Sequence, residues 1–304
     1  MAKQMVFGIN KPNFLIVGAA KSGTTSLVDY LSQHPDIHFH PNKELRFFVK
    51  EKIKETNKKD PMLRRIMDRS ILDKEEYFKY HNSRPEKLVG EASVHYLYHH
   101  KEAIKNIKAT VGDIPIIIIL RNPVDRALSN WAYNKSDNNT FKTSLTKENV
   151  RKKEKFNCFW YYKELGEYAT QVESYKKNFT NVKVLIFEEF IKNMDLNLNE
   201  TLSFLGVNEL FPFDLSKKSN ETNSISFKFS LLRKTEKFIV IRDLLHYYEK
   251  YFSNTMIYKS TIIKKKKLAT SNDKRVLKNY YKEDIAKLEK ILNKNLRIWK
   301  NKEY

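Results

Sequence analysis

The sequence predicts an α/β fold with a central parallel sheet flanked by helices, and three observations lead to it. Short apolar runs of the kind found in buried parallel strands alternate with helical patterns along the chain. A glycine-bearing loop follows the first run and leads directly into a helix. With 304 residues, of which 41% are hydrophobic, the chain can bury a sizeable core. Because strands that alternate with helices usually pair in parallel, helices are expected on both faces of the sheet.

Four short apolar runs are the predicted strands, and they lie at residues 14–17, 88–89, 116–120 and 182–187. A first helix is expected after the glycine loop, where Leu27 and Leu31 lie one turn apart. Near the C-terminal end, four apolar residues recur at helical spacing and form one face: Tyr281, Ile285, Leu288 and Leu292. The elements therefore alternate through most of the chain.

The chain is expected to form one domain, because neither an internal repeat nor a Pro-, Gly- or Ser-rich linker divides residues 1–304. Two charged segments, at about residues 50–80 and 135–158, interrupt the alternation of strands and helices. Ligands of open α/β folds bind beyond the carboxyl ends of the strands. These insertions therefore either cover a ligand site or form surface helices without such a role.

Charge and cysteine content narrow the class of protein. The 57 Lys and Arg residues exceed the 36 Asp and Glu residues, which gives a net charge of +21. Such a charge attracts nucleic acid, an anionic membrane surface or a polyanionic small ligand, although a solvated lysine-rich surface accounts for it equally well. The one cysteine, Cys158, cannot form an internal disulfide, and no apolar stretch reaches the about 18 residues that span a membrane. We expect a cytoplasmic protein without a membrane span.

The clearest local signal is the segment NFLIVGAAKSGTTSLVDYL, in which an apolar strand, a loop and a helix follow one another. Gly18 and Gly23 allow backbone N–H groups to approach an anion closely, and the helix adds its positive N-terminal dipole. The loop is therefore predicted to bind a phosphate or sulfate group. Its spacing matches GxxxxG of a nucleotide-binding loop, but Thr24 stands where an NTPase carries lysine, and the lysine is Lys21.

A second anion motif, LRNPVDRALSNW, follows the third predicted strand. Arg121 comes directly after that strand, and Pro123 suits the first turn of a helix that carries Arg126 and Ser129. The planar guanidinium of Arg121 and the hydroxyl of Ser129 can hold a second phosphate, although Arg126 and Ser129 taken singly are more often helix surface. NTPases that bind magnesium often have an acidic residue where Arg121 stands, so we expect a donor that is handled without magnesium.

These motifs, in this order, resemble those of the sulfotransferases that use 3′-phosphoadenosine 5′-phosphosulfate (PAPS), especially the heparan-sulfate type and its bacterial relatives. KSGTTSL is similar to their 5′-phosphosulfate loop, LRNPVDRALSNW to their 3′-phosphate motif, and HPDIHFHPNKELRFF to the segment after the loop. GEASVHYL, KVLIFEEF and NETLSFLGV resemble later motifs, so the likeness extends from about residue 13 to 299. The resemblance implies a P-loop NTPase-like core and transfer of a sulfo group from PAPS to a hydroxyl or amine, with a carbohydrate acceptor favoured.

The resemblance also implies which residues hold the donor. For the phosphosulfate they are Lys21, Ser22, Gly23, Thr24, Thr25 and Ser26, and for the 3′-phosphate they are Arg121 and Ser129. In the family, a basic loop before the last helix closes on the donor. Counting back from LKNYYKED places Lys264 and Lys265 on that loop, although a solvated lysine run at 264–267 is an equal alternative. Ala92 stands where several relatives have a lysine near the acceptor, so acceptor recognition does not carry over.

Sulfo transfer needs a base on the acceptor side and cations on the leaving-group side. Lys21 suits the leaving side because its ammonium is a compact charge on a flexible stem. The resemblance favours Glu44 as the base, since KELRFF matches the family segment that supplies a glutamate, while His38, His40 or a structural role for all three are the alternatives. Glu91 lies at a strand end and is more readily a structural carboxylate. The histidines and the one cysteine form no spaced ligand set, so no metal is predicted.

Two other classes of function stay open at this point. A P-loop small-molecule kinase is disfavoured by the shifted lysine and by the missing acidic partner. A basic nucleic-acid-binding protein would concentrate its charge on one face and bind more weakly in salt. Two spaced anion motifs on an α/β core favour the enzyme. The expected partners are therefore PAPS and an acceptor, with no nucleic acid.

Overall fold

A five-stranded parallel sheet forms the centre of the computed structural model, which describes residues 11–40, 42–79, 86–207, 210–216, 262–263, 265–266 and 268–304. The strands are β1 (Phe14–Gly18), β2 (Ile37–Phe39), β3 (Leu88–Ala92), β4 (Ile116–Leu120) and β5 (Val182–Ile186). They lie in the order β2-β3-β1-β4-β5, and every neighbouring pair is parallel. The predicted α/β fold class is confirmed.

The predicted strands coincide with β1, β3, β4 and β5 to within a few residues. β3 continues through the GEA of GEAS, and β5 ends at Ile186 because the next residue begins a helix. β2 is only three residues long and pairs with β3 at the edge of the sheet. Because so short a strand carries little periodicity, the sequence indicated it only through the HFH pattern.

Helices lie between the strands and after the last one. In chain order they are α1 (Thr24–Leu31), α2 (Lys50–Lys54), α3 (Leu63–Met67), α4 (Lys74–Lys79), α5 (His95–Tyr98), α6 (His100–Thr110), α7 (Pro123–Tyr133), α8 (Phe141–Thr146), α9 (Glu148–Lys153), α10 (Tyr168–Asn178), α11 (Phe187–Lys192), α12 (Met194–Leu205), α13 (Ser271–Tyr280), α14 (Lys282–Leu292) and α15 (Arg297–Lys300). The charged segment at 50–80 contains α2, α3 and α4, and the segment at 135–158 contains α8 and α9.

Both faces of the sheet are buried, each in its own apolar layer. Along β4, Ile116, Ile118 and Leu120 point into one layer and Ile117 and Ile119 into the other, because successive side chains of a strand alternate. Helices α6, α7, α10 and α14 contribute side chains to the first layer, and α1 and α12 to the second. The apolar face predicted near the C-terminal end packs in the first layer through α14.

The parallel arrangement brings several chain segments to one edge of the sheet. The phosphate loop follows β1, the GEASVHYL motif continues from β3 into α5, and Arg121 follows β4 immediately. All three strands point the same way, so these segments meet at the carboxyl edge, where open α/β proteins bind ligands.

Candidate active site

The phosphate loop between β1 and α1 is closed in by aromatic and aliphatic side chains. Gly23 has φ 92°, a left-handed conformation that favours glycine. A Cβ atom at Gly23 would lie 2.8 Å from the Phe187 ring, and one at Gly18 would lie 2.5 Å from Leu97 Cβ. The two glycines are therefore needed for space, and at Gly23 also for backbone conformation. Because Gly18 and Gly23 have no side chains, the backbone of the loop lines the site at these two positions.

The predicted phosphosulfate residues differ in exposure along this loop. Ser22 is fully buried and Thr24 is 6% exposed, whereas Thr25 is exposed at the start of α1. Ser26 is half-buried in the first turn of the same helix. The loop therefore presents Thr25 outward, next to the N-terminus of α1.

Lys21 lies at the centre of a group of cations. Its Nζ is 3.6 Å from the centroid of the Tyr133 ring on α7, and its carbonyl oxygen accepts a hydrogen bond from Arg121 at 3.2 Å. Burial lowers the pKa of Lys21 to about 8, against the influence of Tyr133, and the charges of Lys266, Arg121 and Arg65 lower it further. Several positive side chains thus surround one ammonium group, which is the electrostatic arrangement of an anion-binding site.

Arg121 and Ser129 sit at the two ends of the second motif. The Arg121 guanidinium lies 4.9 Å from the Phe187 ring, and its buried Nε has no hydrogen-bond partner among the residues that the structure describes. Asn122 caps α7 by accepting from two backbone N–H groups, and Pro123 occupies the first turn as predicted. Ser129, six residues into the helix, is 8% exposed. Arg121 Nε is a donor available to a bound anion.

Arg126 has a structural environment rather than a surface one. It is fully buried, and its guanidinium donates to the carbonyl of Tyr162. The alternative that Arg126 and Ser129 lie on a helix surface is therefore wrong for both, because α7 is covered on this side by the segment around Tyr162.

The basic segment before α13 reaches the same site. Lys264 lies outside the described residues. Lys265 Nζ donates to the carbonyls of Asn134 at 2.9 Å and Asp137 at 2.7 Å, so its ammonium is bound to the backbone that follows α7. Its neighbour Lys266 is half-buried, and burial and the charge of Arg121 lower its pKa. Of the two lysines described in this run, Lys266 is the one whose charge acts on Lys21, and the sequence analysis did not single it out.

Glu44 lies against the carboxyl end of β3. Its backbone N–H donates to the Ala92 carbonyl at 3.0 Å, and its Oε2 accepts from the Val94 N–H at 3.2 Å. Arg46 Nη2 lies 3.5 Å and His95 Nδ1 3.4 Å from the same carboxylate oxygen. Burial alone would raise the pKa of Glu44, but the contact with His95 and the charge of Arg46 lower it below its ordinary value. The carboxylate is held in its ionised form, ready to accept a proton.

Arg46 and His95 form a buried pair behind this carboxylate. Arg46 donates from Nη1 to the Glu44 carbonyl at 2.6 Å and from Nε to His95 Nδ1 at 3.1 Å. His95 Nε2 lies 3.3 Å from Asn157 Oδ1. His95 Nδ1 therefore faces both Arg46 Nε and the Glu44 carboxylate, and burial together with the charge of Arg46 lowers the pKa of His95. Sequence analysis assigned no role to His95, although it follows β3 within the GEASVHYL motif, at the carboxyl edge of the sheet.

The other acidic and histidine candidates lie in different surroundings. Glu91 is buried and accepts from the hydroxyls of Tyr77, Ser93 and Tyr96, and burial raises its pKa. It is the structural carboxylate that the sequence suggested. His38 Nδ1 lies 3.7 Å from Glu86, and His40 Nδ1 accepts from the Asn42 N–H, so neither is brought to Glu44 by these contacts.

Both charged insertions contribute side chains at this edge. Arg65 on α3 donates to the Tyr133 hydroxyl at 3.2 Å, which places the segment at 50–80 next to the partner of Lys21. Asn157 belongs to the segment at 135–158, and it is the residue that His95 contacts. The two insertions also contact each other, since Asp60 of the 50–80 segment accepts a hydrogen bond from the Asn157 N–H at 2.6 Å. The insertions therefore border the site.

Two further structural facts concern the described ranges alone. Within them, no group of three or more His, Cys, Asp or Glu side chains is arranged to hold a metal ion. None of the helices assigned there has the length and apolarity to cross a membrane.

Fold and site together define an α/β protein whose phosphate loop is surrounded by cations. Residues 12–211 match the profile of the family described as the sulfotransferase family, and the chain belongs to that family. A solved structure of a sulfotransferase from Alicyclobacillus acidocaldarius is 31% identical, with a TM-score of 0.70 over 95% of this chain and 98% of that one. The predicted family and the P-loop-like core are thereby confirmed.

Curated relatives match over parts of their length. The membrane-associated sulfotransferase kil1 of Dictyostelium discoideum is 31% identical over 122 residues, which are 40% of this chain and 23% of that protein. The human heparan sulfate glucosamine 3-O-sulfotransferase 3B1 is 27% identical over 208 residues, which are 66% of this chain and 47% of that protein. The chain thus spans between about a quarter and a half of these relatives.

Proposed function

We propose that this member of the sulfotransferase family moves a sulfo group from PAPS to a hydroxyl or amine of an acceptor, and that the acceptor is a carbohydrate. The choice of PAPS as donor is supported by the group of cations around Lys21 at the phosphate loop. These cations are Arg65, Arg121 and Lys266. The phosphate loop and the Arg121 motif both lie at the carboxyl edge of the sheet, so together they suit a donor that has two separate anionic groups, as PAPS has.

The residues present fit this donor. Lys21 to Ser26 supply the loop for the phosphosulfate, and Arg121 with its available Nε, together with Ser129, supplies the second phosphate site. Lys266 adds positive charge on the same side, whereas the Lys265 ammonium is already engaged by two carbonyls. PAPS brings a sulfo group joined to a phosphate that can leave with the bonding electrons.

The residues divide the reaction between them. The acceptor oxygen or nitrogen forms a bond to sulfur while the bond between sulfur and the phosphate oxygen breaks. Glu44 takes the proton of the acceptor, for which its ionised carboxylate is suited. Lys21 stabilises the negative charge that grows on the departing phosphate, and adenosine 3′,5′-bisphosphate is the second product.

The carbohydrate acceptor is inferred from a relative. The human relative is described as acting on heparan sulfate glucosamine, which supports a saccharide for this chain. Ala92 places an apolar side chain, 3% exposed, at the end of β3, so acceptor recognition must use other residues here. Labelled PAPS incubated with extracts of the cell of origin would identify the acceptor through its labelled product.

The donor is tested by comparing adenosine 3′,5′-bisphosphate with AMP in a thermal shift assay. We expect a clearly larger rise in melting temperature with the bisphosphate, because AMP lacks the 3′-phosphate. Arg121→Ala should weaken bisphosphate binding by about 1.5–3 kcal/mol, the scale of a hydrogen bond to a charged group. Arg275→Ala, which removes an exposed arginine on α13, is the matched control and should bind normally. Equal shifts with both nucleotides would remove the role of Arg121 and Ser129.

A further inference from the structure

The Lys43 ammonium connects the two halves of the site. Its Nζ donates to Thr25 Oγ1 at 3.1 Å, and Thr25 is the exposed residue of the phosphate loop at the start of α1. Lys43 also directly precedes Glu44, whose N–H is bound to the Ala92 carbonyl at 3.0 Å. The peptide between Lys43 and Glu44 therefore lies across the end of β3, next to Ala92.

The surroundings of Lys43 leave its ammonium able to bind an anion. One of its three N–H donors goes to the neutral Thr25 hydroxyl, and no ion pair to Lys43 is formed within the described part of the chain. Burial lowers its pKa, while the more distant carboxylates of Glu44 and Asp29 act in the opposite direction. A half-buried ammonium with a single neutral partner retains most of its hydrogen-bonding capacity.

Lys43 and Lys21 have different surroundings at the phosphate loop. Lys21 lies against Tyr133 and beside Arg121, where the phosphates of the donor are expected. Lys43 contacts Thr25 on the loop and directly precedes Glu44, so it links the loop to the segment that carries the proposed base. A group that passes from a phosphate held by the loop to an acceptor beside Glu44 must cross the space that Lys43 borders.

We propose that Lys43 is a further catalytic residue, whose ammonium binds an oxygen of the sulfo group during its transfer from the phosphate to the acceptor. The proposal rests on the proposed function, since it takes the sulfo group from PAPS. In the step, sulfur exchanges its bond to the phosphate oxygen for a bond to the acceptor, and Glu44 takes the acceptor's proton. Lys43 gives and takes no proton; its charge offsets the negative charge on the sulfo oxygens as the bonds exchange.

The two nucleotides of the reaction separate this role from phosphate binding, because adenosine 3′,5′-bisphosphate lacks the sulfo group that PAPS carries. We expect Lys43→Gln and Lys43→Met to bind the bisphosphate within about twofold of the unaltered protein. Without acceptor present, both should bind PAPS more weakly by about 10- to 150-fold, the loss of one charged hydrogen bond. Their single-turnover rate should fall by about 10²–10³-fold, and Lys43→Arg should recover part of it.

Two comparisons fix the interpretation. Lys21→Ala should lose affinity for both nucleotides, whereas Lys54→Gln, an exposed lysine of α2 paired with Glu51, should change neither. Equal losses for PAPS and bisphosphate in the Lys43 variants would overturn the proposal, because Lys43 would then only support the loop through Thr25. Unchanged PAPS affinity and an unchanged rate would overturn it as well. If the unaltered protein shows no preference for bisphosphate over AMP, the donor itself is wrong, and this outcome is distinguishable from the other two.

Discussion

Glu44 takes its chemistry from Arg46, two residues further along, and from the more distant segment around Ala92, Val94 and His95. Its carboxylate accepts from the Val94 N–H and lies near Arg46 and His95, and its own N–H is bound to the end of β3. The backbone at Glu44 has φ 69°, a left-handed conformation that a bulky residue adopts only when its surroundings hold it there. The position of the base is therefore set by contacts on both its main chain and its side chain.

Replacing Glu44 by Gln separates proton transfer from binding. The amide keeps the size of the side chain but cannot accept the proton, so we expect turnover to fall by about 10²–10⁴-fold. Affinity for adenosine 3′,5′-bisphosphate should barely change, because the nucleotide lacks the reacting group. Melting temperature, bisphosphate affinity and single-turnover rate are measured on one preparation.

Glu91→Gln is the matched control for this change. Glu91 accepts three hydroxyl hydrogen bonds in the core, so its replacement should lower the melting temperature while sparing the rate per folded molecule. A Glu44→Gln protein that behaves like the Glu91 control, less stable but fully active, would show that Glu44 is structural. His38 and His40 would then become the next candidates for the base.

We expect the ionisation of Lys21 to set the alkaline limit of the proposed reaction. With a pKa of about 8, the ammonium of Lys21 is mostly charged at neutral pH and loses its charge as pH rises through 8. We expect kcat/KM to fall above about pH 8, because kcat/KM reports the free enzyme. On the acid side the lowered pKa of Glu44 keeps the base ionised, so the rate should hold down to below the ordinary pKa of a glutamate.

Lys21→Arg tests this assignment, since an arginine stays charged throughout the range. Its kcat/KM should be lower at every pH, but the decline near pH 8 should disappear. A decline that persists unchanged in Lys21→Arg would assign the alkaline limit to another group, with Tyr133 the first to examine because its pKa is also shifted by Lys21.

Both charged insertions place side chains in contact with residues of the site. Helix α3 brings Arg65 to the hydroxyl of Tyr133, and the segment after α9 brings Asn157 to His95. Asp60 of the first insertion accepts a hydrogen bond from the Asn157 N–H of the second, so the two insertions are bound to each other. The arrangement fits the expectation that these segments cover a ligand site.

The sequence predicted those parts of the site that are local in the chain. The phosphate loop and Arg121 each follow an apolar strand within a strand-loop-helix pattern, so their places on the sheet edge could be read directly. Lys266 could not be, because a run of four lysines has no internal signal that says which one faces the loop. Arg65 lies in a charged segment with the same difficulty, and its contact with Tyr133 exists only in the folded chain.

The resemblance to a family located Glu44 but not its surroundings. The KELRFF motif gave the glutamate, whereas Arg46 and His95 meet it through the packing of a 3-10 turn at Phe47–Val49 and of α5. Lys43 was overlooked for the same reason: its significance comes from a bond to Thr25, eighteen positions earlier. Tertiary contact, not residue type, distinguishes these side chains from other charged residues.

For the molecule as a whole, the parallel sheet explains why one edge gathers the chemistry. Segments that follow β1, β3 and β4 emerge on the same side, while both faces are filled by apolar layers. The net charge of +21 belongs to the whole chain and not to this edge alone, so it attracts anions without selecting among them. Selectivity for a particular anion must come from the placed cations at the loop.

Those placed cations also carry a thermodynamic burden, because like charges brought together repel each other until an anion arrives. Burial, and after it the charges of the neighbouring cations, lower the pKa of Lys21, so the folded protein binds this proton less firmly than the unfolded chain. The charged ammonium of Lys21 therefore opposes folding below about pH 8. Lys21→Met keeps the aliphatic stem against Tyr133 and removes the charge. We expect it to abolish turnover yet raise the melting temperature of the nucleotide-free protein by roughly 1–4 °C. A lower melting temperature in calorimetry would contradict this. The charge of Lys21 that turnover requires therefore lowers the stability of the nucleotide-free protein. Binding of the donor raises the stability of the folded protein again.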